Sequence, residues 1–561
     1  MERYAYYAMR SILSTYFISL GLSEHEATSM FLFTSALAYF TPVFGGLLSD
    51  ALLGKYATIV AFAIVYVLGL FLLALAAYAA SRPLTYWGLL LIGVGTGGIK
   101  PCVSAFGADQ LKLEAPGKEG GEPAAKRGGA DEGKMRGYFS AFYFSINVGA
   151  LLSYILSPVF KARLGYGFAF LVPAALMALA VVVLVRGRGG YAVVLPKRGA
   201  GAPDSPVFVL AKVLFFAAAS SLRRLFSLSS SPPPASFLAG ARDGGSSVTA
   251  KNVSDASDFF RTARFALLMP FFWCLYDQQG SVWILQARRM RTPGWIEPEQ
   301  LGVLNTVLVL ALLPLLERAV YPALEGAGVR TTALRRMACG MVLAGLSFLL
   351  SGLVEGRIQA SIEERGYAGD GGCEAPAGNG TDAGLGEEGD GCGAHAECGS
   401  GACEAGECVV ARSDLSFLWQ VPQYFILTLA EIGVSTTGLE FFYQEAPPSL
   451  KTASSALFLL TTAAGDILGG VLYEVACSVG LGNADLLIFC GALMFAVSLV
   501  FVSFSRTYVY RDDELGAGGG GEGEGGGGRG GGAGSDEEVE LSLVSNSEVG
   551  SSDLRARGDS R

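Results

Sequence analysis

The chain has 561 residues, 51% of them hydrophobic and 16% charged, with a mean hydropathy of +0.43. A soluble domain carries roughly 25% charged residues, so the composition argues against a soluble globular protein and for lipid as the main solvent. Much of the net charge of −9 lies outside the apolar segments, in a tail and an insert, and nothing in its placement suggests a nucleic-acid partner.

Apolar stretches of about the twenty residues that a helix needs to cross a bilayer predict an all-α membrane protein. About twelve spans are expected, near 3–21, 29–48, 57–79, 84–107, 138–158, 166–185, 264–286, 300–322, 335–354, 416–440, 454–476 and 484–505. They divide the chain into a six-helix half at 1–186, a cytosolic connector at 187–260, and a second half at 261–354 and 415–506. An extracellular insert at 355–414 interrupts the second half, and a tail follows at 507–561. No cleavable signal peptide is recognisable before span one, which is expected to direct insertion itself.

In span one, Arg3, Tyr7 and Arg10 follow an i, i+4, i+7 pattern, with Glu2 and Tyr6 on the adjoining ridge. One helix face then presents a carboxylate, two guanidinium groups and two phenols, which a lipid-facing helix would not carry. Span four holds Lys100 before Pro101, and span five places Tyr143 and Asn147 four residues apart. A charge near the middle of a span costs roughly 2.5–3.5 kcal/mol on insertion scales, so such groups are expected to face the bundle interior.

The connector contains Pro232, Pro233 and Pro234, and its stretch 207–222 is expected to be an amphipathic helix lying on the membrane. In the second half, span seven carries Asp277, span ten Glu431 and Glu440, and span eleven Asp466 and Glu474. Glu431 and Ser435 share one face of span ten. Arg261 and Glu317 lie at span ends, where snorkelling to the interface is the competing reading. Cations for a carboxylate, acids for an ammonium and neutral polar groups between them suit a zwitterion with a peptide-like middle.

Lys and Arg cluster on one side of the twelve-span order, which places both termini in the cytosol, with Arg288, Arg289 and Arg291 as exceptions. Cys373, Cys392, Cys398, Cys403 and Cys408 crowd the insert, which points to disulfides in an oxidising compartment. Zinc binding by these cysteines with His395 is the competing reading. Asn379-Gly380-Thr381 in the same segment is a glycosylation acceptor usable on the lumenal side. The remaining cysteines are expected to be small core residues. The nearly all-Gly run at 516–533 and the acidic end after it are expected to be disordered. Only two histidines occur, His25 and His395, both expected in loops, and no nucleophile, base or metal-ligand spacing is seen in the spans, so no enzyme and no metal is expected.

Several blocks resemble the proton-dependent oligopeptide transporters of the major facilitator superfamily, in that family's order. Met1-Glu-Arg-Tyr-Ala-Tyr-Tyr-Ala-Met-Arg10 is similar to the end of its ExxERFxYYGxR signature, and Gly45-Gly-Leu-Leu-Ser-Asp50 through Gly54-Lys-Tyr to the loop between spans two and three. Gly95-Thr-Gly-Gly-Ile-Lys-Pro101 to Asp109-Gln110 resembles the span-four signature, and Phe142-Tyr-Phe-Ser-Ile-Asn-Val-Gly149 the FYxxINxG motif. Phe272-Trp-Cys-Leu-Tyr-Asp-Gln-Gln-Gly280, Trp419-Gln-Val-Pro-Gln-Tyr424, Gly438-Leu-Glu-Phe441 and Ala446-Pro447 are similar to the animal-type branch.

The resemblance implies a major facilitator fold with a site between two six-helix halves, worked by alternating access, in a proton-coupled symporter of di- and tripeptides. It implies that Arg10 and Lys100 hold the peptide carboxylate, that Glu431 with Asn147 and Asn305 holds its amino terminus, and that Tyr7, Tyr39, Tyr143 and Trp273 line the cavity. Glu2 would be the proton site, tied to Arg3 and Lys100, and Arg261 with Glu317 a gating pair. The departures are the absence of the signature's first glutamate, Ala8 in place of the motif glycine, and Leu32 where animal members carry a histidine. No cofactor beyond the co-transported proton is expected, and the protein is expected to be monomeric, in the plasma membrane or alternatively an endosomal or lysosomal one. Transport of histidine or nitrate by the same fold, and a nutrient-sensing receptor with little transport, are the alternatives.

Overall fold

The computed structural model describes residues 1–113, 124–193, 210, 212–218, 238, 248–365, 401–404 and 407–510. All twelve apolar segments coincide with helix. The first half comprises α1 (Glu2–Ser19), α2 (Glu24–Leu48), α3 (Lys55–Tyr78), α4 (Arg82–Leu113) and α5 (Ala124–Arg186). Helix α5 contains both the fifth and the sixth expected spans, and the chain turns between them at Gly165, whose φ of 81° lies where a side chain would be strained. Ser23 starts α2 with a capping box: its hydroxyl accepts from the Glu26 N–H at 3.2 Å while the Glu26 carboxylate accepts from the Ser23 N–H at 2.9 Å.

The seventh expected span is broken into α6 (Ala250–Ala266), α7 (Met269–Tyr276), a 3-10 turn at Asp277–Gly280, and α8 (Val282–Arg288). There follow α9 (Gly302–Leu315), α10 (Tyr321–Gly326), α11 (Ala333–Glu364), α12 (Val421–Glu431), α13 (Thr437–Gln444), α14 (Lys451–Ser478) and α15 (Asn483–Arg506). Single π-helical turns, which often mark functional positions, lie at Ser49–Leu53, Leu316–Val320 and Ile432–Thr436. Among the described residues nine helices are long and apolar enough to cross a membrane. Charge-bearing α1 and the broken seventh span are not among these, and α5 supplies two expected spans in one helix.

Helix α11 continues through 355–364, into the segment expected as insert, because Ile358 and Ile362 pack with Met290 and Ala411 in a small core of their own. Beyond it, strands β1 (Gly401–Glu404) and β2 (Glu407–Val410) pair antiparallel with Cys403 opposite Cys408. The side chains of Cys403 and Cys408, and all of Cys373, Asn379, Cys392, His395 and Cys398, lie outside the described residues. The tail beyond 510 does so too.

Two expectations change. His25 is not in a loop but in the first turn of α2, fully buried, with Nε2 2.7 Å from the Asn483 carboxamide oxygen. In the connector, Val213 and Ala217 pack against Ala256, Phe259 and Leu450, while Leu214 and Phe215 are exposed. Of the remaining cysteines, Cys102, Cys274 and Cys490 are buried as expected, whereas Cys339 is exposed.

Candidate binding site

On the first half, α1 and α4 bring their cations to one level. Arg3 makes a two-pronged ion pair with Glu2, Nε to Oε2 at 2.5 Å and Nη2 to Oε1 at 2.7 Å, the planar fork matching both carboxylate oxygens. That pairing uses both carboxylate oxygens, and no ion pair joins Glu2 to Lys100 among the described residues. Lys100 instead sits over the rings of Tyr39 and Tyr6, 3.9 and 4.5 Å from their centres, and donates to the Ala38 carbonyl at 3.3 Å. Tyr7 packs edge-on to Tyr6 and against Tyr154, at 5.5 and 6.1 Å between ring centres.

On the second half, Glu431 at the end of α12 is the focus. It accepts from the Tyr276 hydroxyl at 2.7 Å and from Asn305 Nδ2 at 2.8 Å, and Asn305 also reaches Thr428 Oγ1 at 3.3 Å. Asn305 is thus a direct neighbour of Glu431. Tyr276 and Asn305 occupy the Glu431 oxygens, and the side chain of Tyr143 lies outside those described. Ser435 is half-buried in the π turn that follows Glu431. Trp273 is nearly buried and donates from Nε1 to Thr461 Oγ1 at 3.1 Å.

The halves meet through Arg10, whose guanidinium is bound to Asp277 at the break after α7 and lies 5.0 Å from the Phe31 ring centre. Toward the end of the bundle where α1 finishes, the joining contacts continue. Ser14 donates to the Gly280 carbonyl at 3.3 Å and Thr15 to Glu299 at 2.7 Å. Lys161 of α5 pairs with the same Glu299 at 2.8 Å and with Glu297 at 3.4 Å. Ser29 of α2 donates to the Gly470 carbonyl of α14 at 3.1 Å. Arg289, an exception to the charge-sidedness rule, is buried here against Glu355 at 2.7 Å and Glu24 at 3.4 Å, and its charge is held inside the protein.

At the opposite end, no ion pair between Arg261 and Glu317 is seen among the described residues. The Arg261 guanidinium lies 5.7 Å from the centre of the Tyr508 ring, and Glu317 sits in its π turn. The Tyr508 hydroxyl donates to Glu445 at 2.7 Å, and burial pushes that phenol upward from its ordinary range.

Tyr276, Asp277 as the partner of Arg10, and the Lys161–Glu299 pair were not assigned roles from sequence. The intramembrane charge of Asp277 and the place of Tyr276 in the Phe272 to Gly280 block were the available signals. Glu299 and Lys161 lie 138 positions apart near span ends, where a charge is unremarkable.

Comparison with known proteins agrees with this architecture. A sequence model described as the POT family matches residues 56–373 and 399–481. Peptide transporter family 2 of Caenorhabditis elegans is 35% identical over 380 residues, 63% of this chain and 45% of that protein. Solute carrier family 15 member 1 of Homo sapiens is 33% identical over 388 residues, 64% of this chain and 51% of its own length. The chain thus spans about half the length of such relatives. The crystal structure of the POT family transporter PepTSo matches 90% of this chain and 96% of its own, with a TM-score of 0.68 and 26% identity. An auto-inhibited POT family peptide transporter matches 91% and 96%, with a TM-score of 0.67 and 27% identity. The protein has the major facilitator fold of these transporters and is a multi-pass integral membrane protein. With matches covering most of its length and helices in the same arrangement, the chain is a member of the POT family of transporters.

Proposed function

We propose that the protein is a proton-coupled symporter of di- and tripeptides that works by alternating access. The observation that carries this reading is the opposition of two charged poles across one interface. Glu431 is held by Tyr276 and Asn305 on the second half, and Arg10 and Lys100 stand on the first. A peptide's ammonium fits the carboxylate pole and its carboxylate fits the cationic pole. Nitrate has no use for Glu431, and a carrier of single anions would not require both poles.

Lys100 is available to a carboxylate because its present partners, two ring faces and a carbonyl, are weaker competitors than a carboxylate would be. Glu2 is the proposed proton site: protonation would release Arg3 from its fork and make the cationic pole more attractive to substrate. The joined end of the bundle is assigned to the extracellular side, so this conformation is closed outward. The Cys-rich segment with Asn379 is lumenal, Arg261 and Glu317 belong to the cytosolic gate, and the plasma membrane is the proposed site.

Purified protein in liposomes should concentrate a dipeptide when only an inward proton gradient is imposed. Peptide binding without any accumulation would favour the receptor reading, and uptake of histidine or nitrate in preference to peptide would overturn the substrate assignment.

A further inference from the structure

The stretch that joins the eighth and ninth expected spans carries a basic cluster with no part in the binding site. Residues 316–336 hold four guanidinium groups, Arg318, Arg330, Arg335 and Arg336, against two carboxylates, Glu317 and Glu325. Helix α10 ends in a Schellman turn: the Val329 N–H donates to the Leu324 carbonyl and the Gly328 N–H to the Glu325 carbonyl, both at 2.9 Å. Gly328, at φ 84°, supplies the left-handed residue that the turn needs. The backbone of Arg330 is thereby fixed. Arg335 Nη1 donates to the Arg330 carbonyl at 3.0 Å, and Arg336 lies 4.1 Å from the Tyr321 ring centre and donates to the Thr331 carbonyl at 2.8 Å. Three arginines thus gather at one turn, all on neutral partners, and no ion pair to an acid is seen for them among the described residues.

Arg330 and Arg335 are exposed, and a cleft of about 460 Å³ opens beside Arg330, lined also by Glu325, Val329 and Thr331. Glu325 accepts from the Thr331 hydroxyl within it. The surroundings decide between a free anion and a lipid. On α11 the exposed residues Arg335, Cys339, Val342, Leu346 and Leu353 follow one another at helical spacing, so Arg335 heads an apolar stripe on the outer face of the bundle. From Arg335 to Leu346 the stripe runs about 16 Å at 1.5 Å per residue, roughly half of a ~30 Å hydrocarbon core. Leu324 and Val329, both exposed, add apolar surface at the basic end. A free anion has no use for that track, whereas a phospholipid fills both parts.

We propose that Arg330 and Arg335 form a binding site for an anionic phospholipid, with its phosphate on the guanidinium pair and one acyl chain along Cys339, Val342 and Leu346. Guanidinium groups match phosphate oxygens in a two-pronged way that an ammonium does not. The rest of the headgroup enters the cleft beside Thr331, where its own charge must tolerate Glu325; the net positive balance of the turn allows this. Basic groups at the edge of a membrane helix draw anionic lipids of the cytosolic leaflet. Only the choice of leaflet rests on the reading of this end as cytosolic, and the site itself makes no use of the transport reading.

Native mass spectrometry of the full chain in detergent, titrated with phosphatidylserine, tests it. Micelles have no leaflets, so the outcome does not depend on which side this end faces. Phosphatidylserine should bind in preference to phosphatidylcholine, and the double variant Arg330→Gln with Arg335→Gln should bind it roughly twentyfold more weakly, at about fivefold for each basic group lost. Lys251→Gln with Arg506→Gln removes the same charge from exposed positions elsewhere and should leave the affinity unchanged. Equal loss in that control, or no loss in the arginine variant, overturns the proposal. Glu325→Gln, which takes the acid out of the cleft, should tighten binding about fivefold, and weaker binding there counts against the placement of the headgroup. Phosphatidylserine with a photoreactive group in its acyl chain should label the peptide that holds Cys339 to Leu346. Labelling confined to other helices overturns the lipid track. If glycerophosphoserine, which has the headgroup and no acyl chains, displaces the lipid at equal concentration, the site takes a free anion and the lipid assignment falls.

Discussion

Lys100 illustrates how a basic side chain is held in an apolar span with no ion pair among the described residues. Two phenol faces and one carbonyl surround the ammonium, each a partner that a substrate carboxylate could outbid. Glu431 is arranged differently, with both oxygens held by neutral donors, Tyr276 and Asn305. Neutral donors orient the carboxylate and leave its charge uncompensated, so an incoming ammonium would complete the pair. Glu431→Gln is accordingly expected to reduce dipeptide uptake roughly tenfold or more, since loss of a desolvated charge partner costs about 2–5 kcal/mol. Uptake of an N-acetylated dipeptide should change little, and equal losses for both substrates would show Glu431 to be structural. Glu2 holds Arg3 in its fork, and Glu2→Gln frees Arg3 as protonation would. The variant should lose proton-driven accumulation yet keep peptide exchange between the two sides of a liposome. If it still concentrates peptide under a proton gradient alone, the coupling proton travels through another group.

Between elements, close packing of small residues decides how near the helices lie. An added Cβ at Gly45 on α2 would stand 2.2 Å from the Gly97 carbonyl oxygen and 2.7 Å from Gly98 Cα of α4. Backbone cannot yield as a side chain would, and small residues at such crossings are how membrane helices gain contact. Gly45→Ala should therefore lower stability by about 1–3 kcal/mol, the usual cost of overpacking, read as a lower melting temperature in detergent. Gly46→Ala is the control, because the first atom its Cβ meets is Pro101 Cβ at 3.9 Å. A normal melt for Gly45→Ala would show that the two helices can separate freely. Apolar length is a local property, and all twelve helical segments were readable from it. Breaks within a span are set by its surroundings: α7 ends where Asp277 meets Arg10, 267 positions earlier in the chain, and no local pattern records that meeting. The same reason hid the continuation of α11, which is held by Met290 and Ala411, and the burial of His25 against Asn483. The acidic and basic poles of the site were readable as charges that lipid would exclude. Their partners Tyr276 and Asp277 needed the fold.

At the scale of the whole molecule, the two halves are fastened at one end by a chain of polar contacts whose centre is Glu299. Its carboxylate is fully buried, and one oxygen takes both the Thr15 hydroxyl from α1 and the Lys161 ammonium from α5. Two helices of the first half thus converge on one acid of the second, and opening this end must break both bonds. Lys161 would keep Glu297, 3.4 Å away, so the replacement Glu299→Gln does not strand the cation and should permit folding. Loss of a buried, hydrogen-bonded charge partner is worth about 2 kcal/mol at the lower end of its range, and that corresponds to roughly thirty-fold in the ratio of closed to open forms. Leu164 and Trp295 are exposed on the first and second halves at this end, and spin labels introduced there as non-canonical amino acids would report the gap between halves. The distance distribution of Glu299→Gln should gain a longer component relative to the unmodified protein, and Lys161→Gln should gain a smaller one because Thr15 still holds Glu299. A distribution that does not change in either variant would mean that this end is kept shut by apolar packing alone, and that Glu299 is not the latch.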